Sequence, residues 1–365
     1  MKKIVSLVLI IISLFLITSC SKEYPPVKST EEEARVVFTI GTGNNKYDVK
    51  YELYRSFFLN YKSEVDGGDE SVWSGDDKDS YVDAVNAMIM DRIVTIYATL
   101  SFAKELGIDP YSKEFEEKIS EYVKIGVEGN GGDIEGYGGN YEAYLLGLKE
   151  MNMNYAVSEL LIRYDLALAA INEYYHGVTD PILGKLDGDF EASEEAVKNY
   201  YFGDESVRVI HIFFAEGVKT DAEMLEIKDD LDHKTTSLDI GLYIINNSSA
   251  LESDIIVDKK LSGMMIGKYA LEPLYYSEYT ETAFSMEDGS TSEIIKIKGS
   301  NPGNYIIHKL PKSEEHLKNH FDTVKTSYID NVIGKSIEDI KTDMLSEVKY
   351  TDTYKSLSHK DISMK

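Results

Sequence analysis

Over most of this chain apolar residues recur at three- and four-residue spacings, but from Val207 the spacing becomes strand-like, and after Pro311 it turns helical again. A recurrence near 3.6 residues marks a helix with one buried stripe, and alternation marks a strand. A period that switches and then switches back restricts the fold to helices interrupted by a small α+β unit.

The helical part is written most clearly in residues 81–109, where Val85, Met88, Ile89, Ile93, Ile96, Tyr97, Leu100 and Ala103 share one face. This spacing predicts one long amphipathic helix, stopped near Gly107. Pro110 and Ser112 open a second helix lined by Phe115, Ile119, Tyr122 and Val123, and a third and fourth follow in 140–154 and 155–177. Upstream, Val36 to Ile40 and Tyr47 to Val49 flank a GTGNNK turn and predict a strand pair. Two acidic, glycine-laden stretches, 63–80 and 128–140, lack the ligand spacing of a calcium loop and read as solvated loops.

Residues 176–193 carry the proline and glycine content of a boundary, after which Ser193 caps a short helix. The strand VRVIHIFF comes next, then a helix around 220–232, then the strands IIKIKG and NYIIHKL.

At the N-terminus Lys2 and Lys3 precede an apolar run from Ile4 to Ile17 that ends at Thr18-Ser19-Cys20. This is the pattern of a secretory signal, too short to span a bilayer. Ile17-Thr18-Ser19-Cys20 resembles a lipobox, which implies cleavage after residue 19 and a diacylglycerol on Cys20. Cys20 is the single cysteine, so no intramolecular disulfide can form although an extracytoplasmic compartment would permit one. Residues 20–35 are polar, contain Pro25-Pro26 and read as a tether. Removal of Lys2 and Lys3 with the signal leaves 36 basic residues against 64 acidic ones. Such a charge repels nucleic acid and anionic lipid, so membrane contact is expected through the lipidated Cys20 and not through the folded body.

Three segments carry a family resemblance. MDRIVTIYATLSFAKELGIDPYSKEFEEKI is similar to the helical chaperone region of the SurA and PrsA group of extracytoplasmic folding factors. ASEEAVKNYYFGDESVRVIHIFFA resembles the entry into that group's parvulin-type peptidyl-prolyl isomerase module, with its V-R-x-x-H-I strand. The stretch from Ser262 to Leu310 resembles the module's second half: a glycine turn at Gly263 and Gly267, a helix followed by G-x-x-S, and a last strand from Tyr305.

The resemblance implies an α+β fold. A mainly helical chaperone domain (36–190), completed by a C-terminal helix (313–365), holds an inserted parvulin-like domain (191–312). It implies a folding factor, membrane-anchored and outside the cytoplasm, that binds unfolded or newly secreted polypeptides and needs no cofactor or metal. His211 takes the place of the first parvulin histidine. Where the family has its second, directly after the aromatic residue of the last strand, stands Ile306; His308 follows two residues later on the same strand face. Leu274 or Tyr275 falls at the methionine wall of the proline cup, Tyr279 and Phe284 at its phenylalanines, and Ser248, Glu252 or Asp254 at its cysteine or aspartate. His211 reads equally as catalytic or as a hydrogen-bonded core residue, and His308 as a structural strand residue or a displaced second imidazole. His316 and His320, four apart on a helix, read as a solvated face. A different class, a surface lipoprotein used as a binding or assembly scaffold, fits the same fold; no phosphate loop, nucleophile elbow or strong metal motif points to a small-molecule enzyme.

Overall fold

The computed structural model describes residues 23–180, 184–186, 188–234, 236–248, 262–270, 277–297 and 303–363. The signal and Cys20 lie outside them, as do Leu274, Tyr275, Glu252 and Asp254. The chain divides into two compact units: Met1–Glu173 with Ile337–Lys365, and Tyr174–Ser336. The fold is α+β, mostly helical with small antiparallel sheets.

The first unit opens with β1 (Val36–Ile40) and β2 (Tyr47–Lys50), paired antiparallel. Helices α1 (Tyr51–Asp66), α2 (Lys78–Glu105), α3 (Lys113–Glu128) and α4 (Tyr141–Glu150) follow, and α5 (Tyr155–His176) leads out of the unit. Their ends are set locally. Ser112 Oγ accepts the Phe115 N–H at 3.4 Å, and Asn140 Oδ1 accepts that of Ala143 at 3.1 Å. Gly107, at φ +80°, turns the chain out of α2, and the Ile108 N–H closes on the Ala103 carbonyl at 2.9 Å. The amphipathic reading of α2 holds only for its first half; from Ile93 to Ala103 all residues but Thr95 are buried, so the second half is a central helix covered on every side.

The stretch 63–80 is not a solvated loop. Trp73 is buried against Phe58, and its indole N–H donates to Asp66 Oδ2 at 2.7 Å. The Gly68 N–H donates to Asp66 Oδ1, and Asp69 accepts the N–H of Ser71, so these carboxylates serve as local turn acceptors. Residues 23–35, expected as a tether, are likewise held on the fold: Tyr24 donates to Glu128, and Glu33 pairs with Arg55.

The second unit contains a hairpin of β3 (Val178–Asp180) and β4 (Gly184–Leu186), then α6 (Glu194–Phe202) capped by Ser193. Next come β5 (Ser206–Ala215), α7 (Asp221–Asp232), α8 (Ser237–Asn247), β6 (Met264–Gly267), α9 (Ser277–Ser285), β7 (Ile295–Ile297) and β8 (Gly303–Lys309). Helices α10 (Glu314–Asn319) and α11 (Phe321–Leu345) end the excursion. The strands form an antiparallel sheet in the order β6-β5-β8-β7. β5 is buried from Ser206 to Phe214 because both faces are covered, with Arg208 and His211 among its apolar residues. Ile210, Ile212 and Phe214 meet α7 and α8, whereas Val207, Val209 and Phe213 meet α9.

The chain then re-enters the first unit. There β9 (Lys349–Tyr350) adds to the free edge of β1, and α12 (Asp352–Lys355) follows, so the sheet of that unit joins an N-terminal strand pair to a strand from the C-terminal segment. Among the described residues no helix is long and apolar enough to cross a membrane.

Candidate functional site

The sheet of the second unit decides which of the predicted residues meet. β5 and β8 run antiparallel, with His211 opposite Ile307 and Ile210 opposite His308. Residues opposite one another on antiparallel strands project to the same face, and successive residues alternate. His211 therefore points toward α9 with Tyr305 and Ile307, and His308 points to the other face with Ile210 and Ile306. This corrects the expectation of a two-histidine site: the imidazoles lie on opposite sides of one sheet, and a two-residue slip of β8 would not unite them.

Three rings cluster on the α9 face. His211 Nδ1 lies 2.9 Å from the Tyr279 hydroxyl, and the two rings meet edge to face at 5.5 Å. Tyr305 lies 5.3 Å from His211 and 5.5 Å from Tyr279, again near perpendicular. Such contacts suit the quadrupoles of the rings. The cluster is closed, with His211 6 %, Tyr279 0 % and Tyr305 6 % exposed. Tyr279, expected to wall a proline cup, instead fills the space over His211 because its hydroxyl finds a partner there. Phe284 lies half-buried on the last turn of α9 against the same core. Tyr305 was missed as a member of the cluster, although strand alternation from His211 across the paired register identifies it.

His308 is a buried strand residue. Its Nδ1 meets Thr291 Oγ1 at 3.0 Å, and burial pushes its pKa below the ordinary imidazole value against the weaker pull of Asp232. The G-x-x-S element beside it is also structural. Gly289 makes the turn at φ +83°, and Ser292 Oγ accepts the Ile307 N–H at 2.9 Å. Ser248, a candidate for the cysteine or aspartate position, accepts the Phe213 N–H at 3.2 Å. Arg208, from the V-R-x-x-H-I strand, donates to the carbonyls of Ser262 at 2.7 Å and Pro311 at 3.0 Å, tying the segments that flank β6 and β8 to β5.

His316 and His320 do not form a solvated face. His316 is buried, stacks on Tyr201 at 5.7 Å, and its Nδ1 lies 3.0 Å from the tyrosine hydroxyl. Among the described residues no group of three or more metal-ligating side chains comes together.

Removing the Tyr279 hydroxyl takes a hydrogen-bond partner from the buried His211 imidazole without opening a cavity. Tyr279→Phe is expected to cost about 1 to 2 kcal/mol of stability in the second unit, measured as the loss of hydrogen-exchange protection along β5.

No protein-family model matches the chain, and no curated protein does. Among solved structures it is similar to foldase protein PrsA from Streptococcus pneumoniae, at 14% identity over 74% of this chain and 87% of that one, with a TM-score of 0.28. PrsA from Bacillus subtilis shares 15% identity over 86% of this chain and 93% of its own, with a TM-score of 0.25. The peptidylprolyl isomerase PrsA from Bacillus anthracis shares 16% over 73% of this chain and 100% of its own, with a TM-score of 0.27.

Proposed function

We propose that the chain is a lipid-anchored extracytoplasmic folding factor. In this reading a helical chaperone unit and an inserted parvulin-like unit hold unfolded or newly secreted polypeptides, and the parvulin-like unit does not isomerise prolyl bonds. Support for the first part comes from the residues that resemble the SurA and PrsA group and from the order of the elements they form: the V-R-V-I-H-I strand, helices, a strand ending at Gly267, a helix, the G-x-x-S turn and a last strand. The helical unit is made of two chain segments with the sheet unit between them, as an inserted module requires.

The second part is carried by one observation: His211 stands on its sheet face with tyrosines and no second imidazole, and His308 is on the other face. Rotation of a prolyl amide must overcome about 18 to 20 kcal/mol of amide resonance. A catalyst of that step holds the proline in an open apolar cup and turns polar groups toward the twisted amide. Here the Tyr279 and Tyr305 rings occupy the space in front of His211. The unit is a binding platform, with Phe284 and the segment containing Leu274 and Tyr275 as client-contacting residues. The acidic surface keeps a loaded complex soluble and excludes nucleic acid as a partner.

The test is prolyl exchange on a model peptide, followed by NMR with protein from residue 21 onward beside His211→Ala. No acceleration by either protein is expected. Acceleration that disappears in His211→Ala would replace this reading with an active isomerase. Suppression of aggregation of unrelated denatured proteins is expected in parallel, whereas protection of none would favour a scaffold with one fixed partner.

A further inference from the structure

The described chain is fixed to the helical unit almost from its first residue. Tyr24 packs on Tyr141 at 5.3 Å and donates to Glu128 at 2.8 Å, and the Pro25 carbonyl accepts the Tyr141 hydroxyl at 2.6 Å. Glu128 ends α3 and Tyr141 begins α4, so the chain enters the fold where these helices and the loop 129–140 meet. Three residue steps separate Glu23 from Cys20. A polypeptide advances at most about 3.6 Å per residue, so by any path Cys20 stays within roughly 11 Å of Glu23. Around the same place the fold leaves apolar side chains uncovered: Val27 two residues after Pro25, Tyr137 in the loop 129–140, and Leu146 on α4, which is 62 % exposed.

We propose that this face, the junction of α3 and α4 with the loop 129–140, rests on the headgroup layer of the membrane, held there by an anchor too short to act as a spacer. The proposal rests on the lipid-anchored reading of Cys20 and departs from the expectation that the folded body stays off the membrane, by adding the surface that meets the bilayer. Glu128, Asp133, Glu135 and Glu142 belong to the same region, so the surface fits zwitterionic headgroups and is repelled by acidic ones. Exposed tyrosine and leucine side chains suit the boundary between headgroup and acyl chain. The docked N-terminal segment then fixes how the helical unit stands on the membrane.

The experiment uses the full lipidated chain in phosphatidylcholine vesicles carrying a headgroup quencher. A fluorophore is attached through Asp133→Cys or, independently, Glu142→Cys, both exposed positions; the native cysteine is occupied by lipid. Quenching at both sites is expected, with its loss when a long Gly-Ser insert separates Lys22 from Glu23. Lipid on Cys20, verified by mass, without quenching at either site would overturn this proposal alone, and so would quenching that the insert leaves unchanged. Absence of lipid on Cys20 would overturn the anchored reading together with it.

Discussion

Arg55→Ala is expected to destabilise the helical unit by about 2 kcal/mol, because it leaves the half-buried Glu33 carboxylate without its cation. Arg55 Nη2 donates to Glu33 Oε1 at 2.7 Å, and Asn154 Nδ2 joins that oxygen at 3.2 Å to Glu52 Oε2 at 2.7 Å. Ser29 also donates to Glu52, and Glu52 and Arg55 are both buried. The network binds the N-terminal segment to α1 and α5. Burial alone would raise the pKa of Glu33, but the Thr30 N–H and hydroxyl, Arg55 and Asn154 together bring it down to about 2. Trp73, the only tryptophan in the chain, lies in this unit against Phe58 of α1, so its fluorescence during urea unfolding reports the loss. Adding Glu33→Gln to Arg55→Ala is expected to recover about 1 kcal/mol, since one unpaired charge disappears with it. A cost of Arg55→Ala within about 0.5 kcal/mol of zero, the range of surface substitutions, would show that water already screens the pair.

The same network explains why α1 was harder to read than α2. Its buried positions include Glu52, Arg55 and Ser56 beside Leu53, Tyr54, Phe57 and Phe58, so no purely apolar stripe marks its face. α2, α3 and α4 were legible because apolar spacing and local caps agree: Gly107 stops α2, Ser112 starts α3 and Asn140 starts α4. β5 and β8 were legible as strands, and alternation correctly put His308 beside Ile306. What alternation within one strand does not give is the register between strands. Only the pairing of His211 with Ile307 shows that the two histidines face apart and that Tyr305 belongs beside His211. The acidic stretch 63–80 hid its structure because its Asp residues satisfy backbone and indole N–H groups, a use that composition does not distinguish from solvation.

Acidification from pH 6.5 toward 4 is expected to loosen the second unit, chiefly through His316. Burial, the nearby positive charge of Arg208 and His320 lower its pKa to about 4, against a weaker opposing effect of the Ser262 carbonyl. The hydrogen bonding requires the neutral ring. The Tyr201 hydroxyl accepts the Ser313 N–H at 3.1 Å and is free to donate to His316 Nδ1, an arrangement that protonation of Nδ1 breaks. Below pH 6.5 the unfolded chain takes up a proton that the folded chain refuses until about pH 4. More protons bound by the unfolded state means stability that is full above 6.5 and falls as pH falls through this window. The contribution is on the order of 2 kcal/mol once partial solvent screening is allowed for. His308, also shifted down by burial, adds a loss of the same sign. The bond that holds Glu33 titrates lower: its stabilisation is present above the ordinary carboxylate range and is lost as pH falls toward 2. His316→Phe keeps a ring against Tyr201 but cannot titrate. Hydrogen exchange of β5 and β8 amides, corrected for the intrinsic rate at each pH, should therefore lose much of its dependence between pH 6.5 and 4 in the variant. An unchanged slope would mean that the imidazole protonates in place, with Tyr201 turning to accept, and that the unit tolerates a charge beside Arg208.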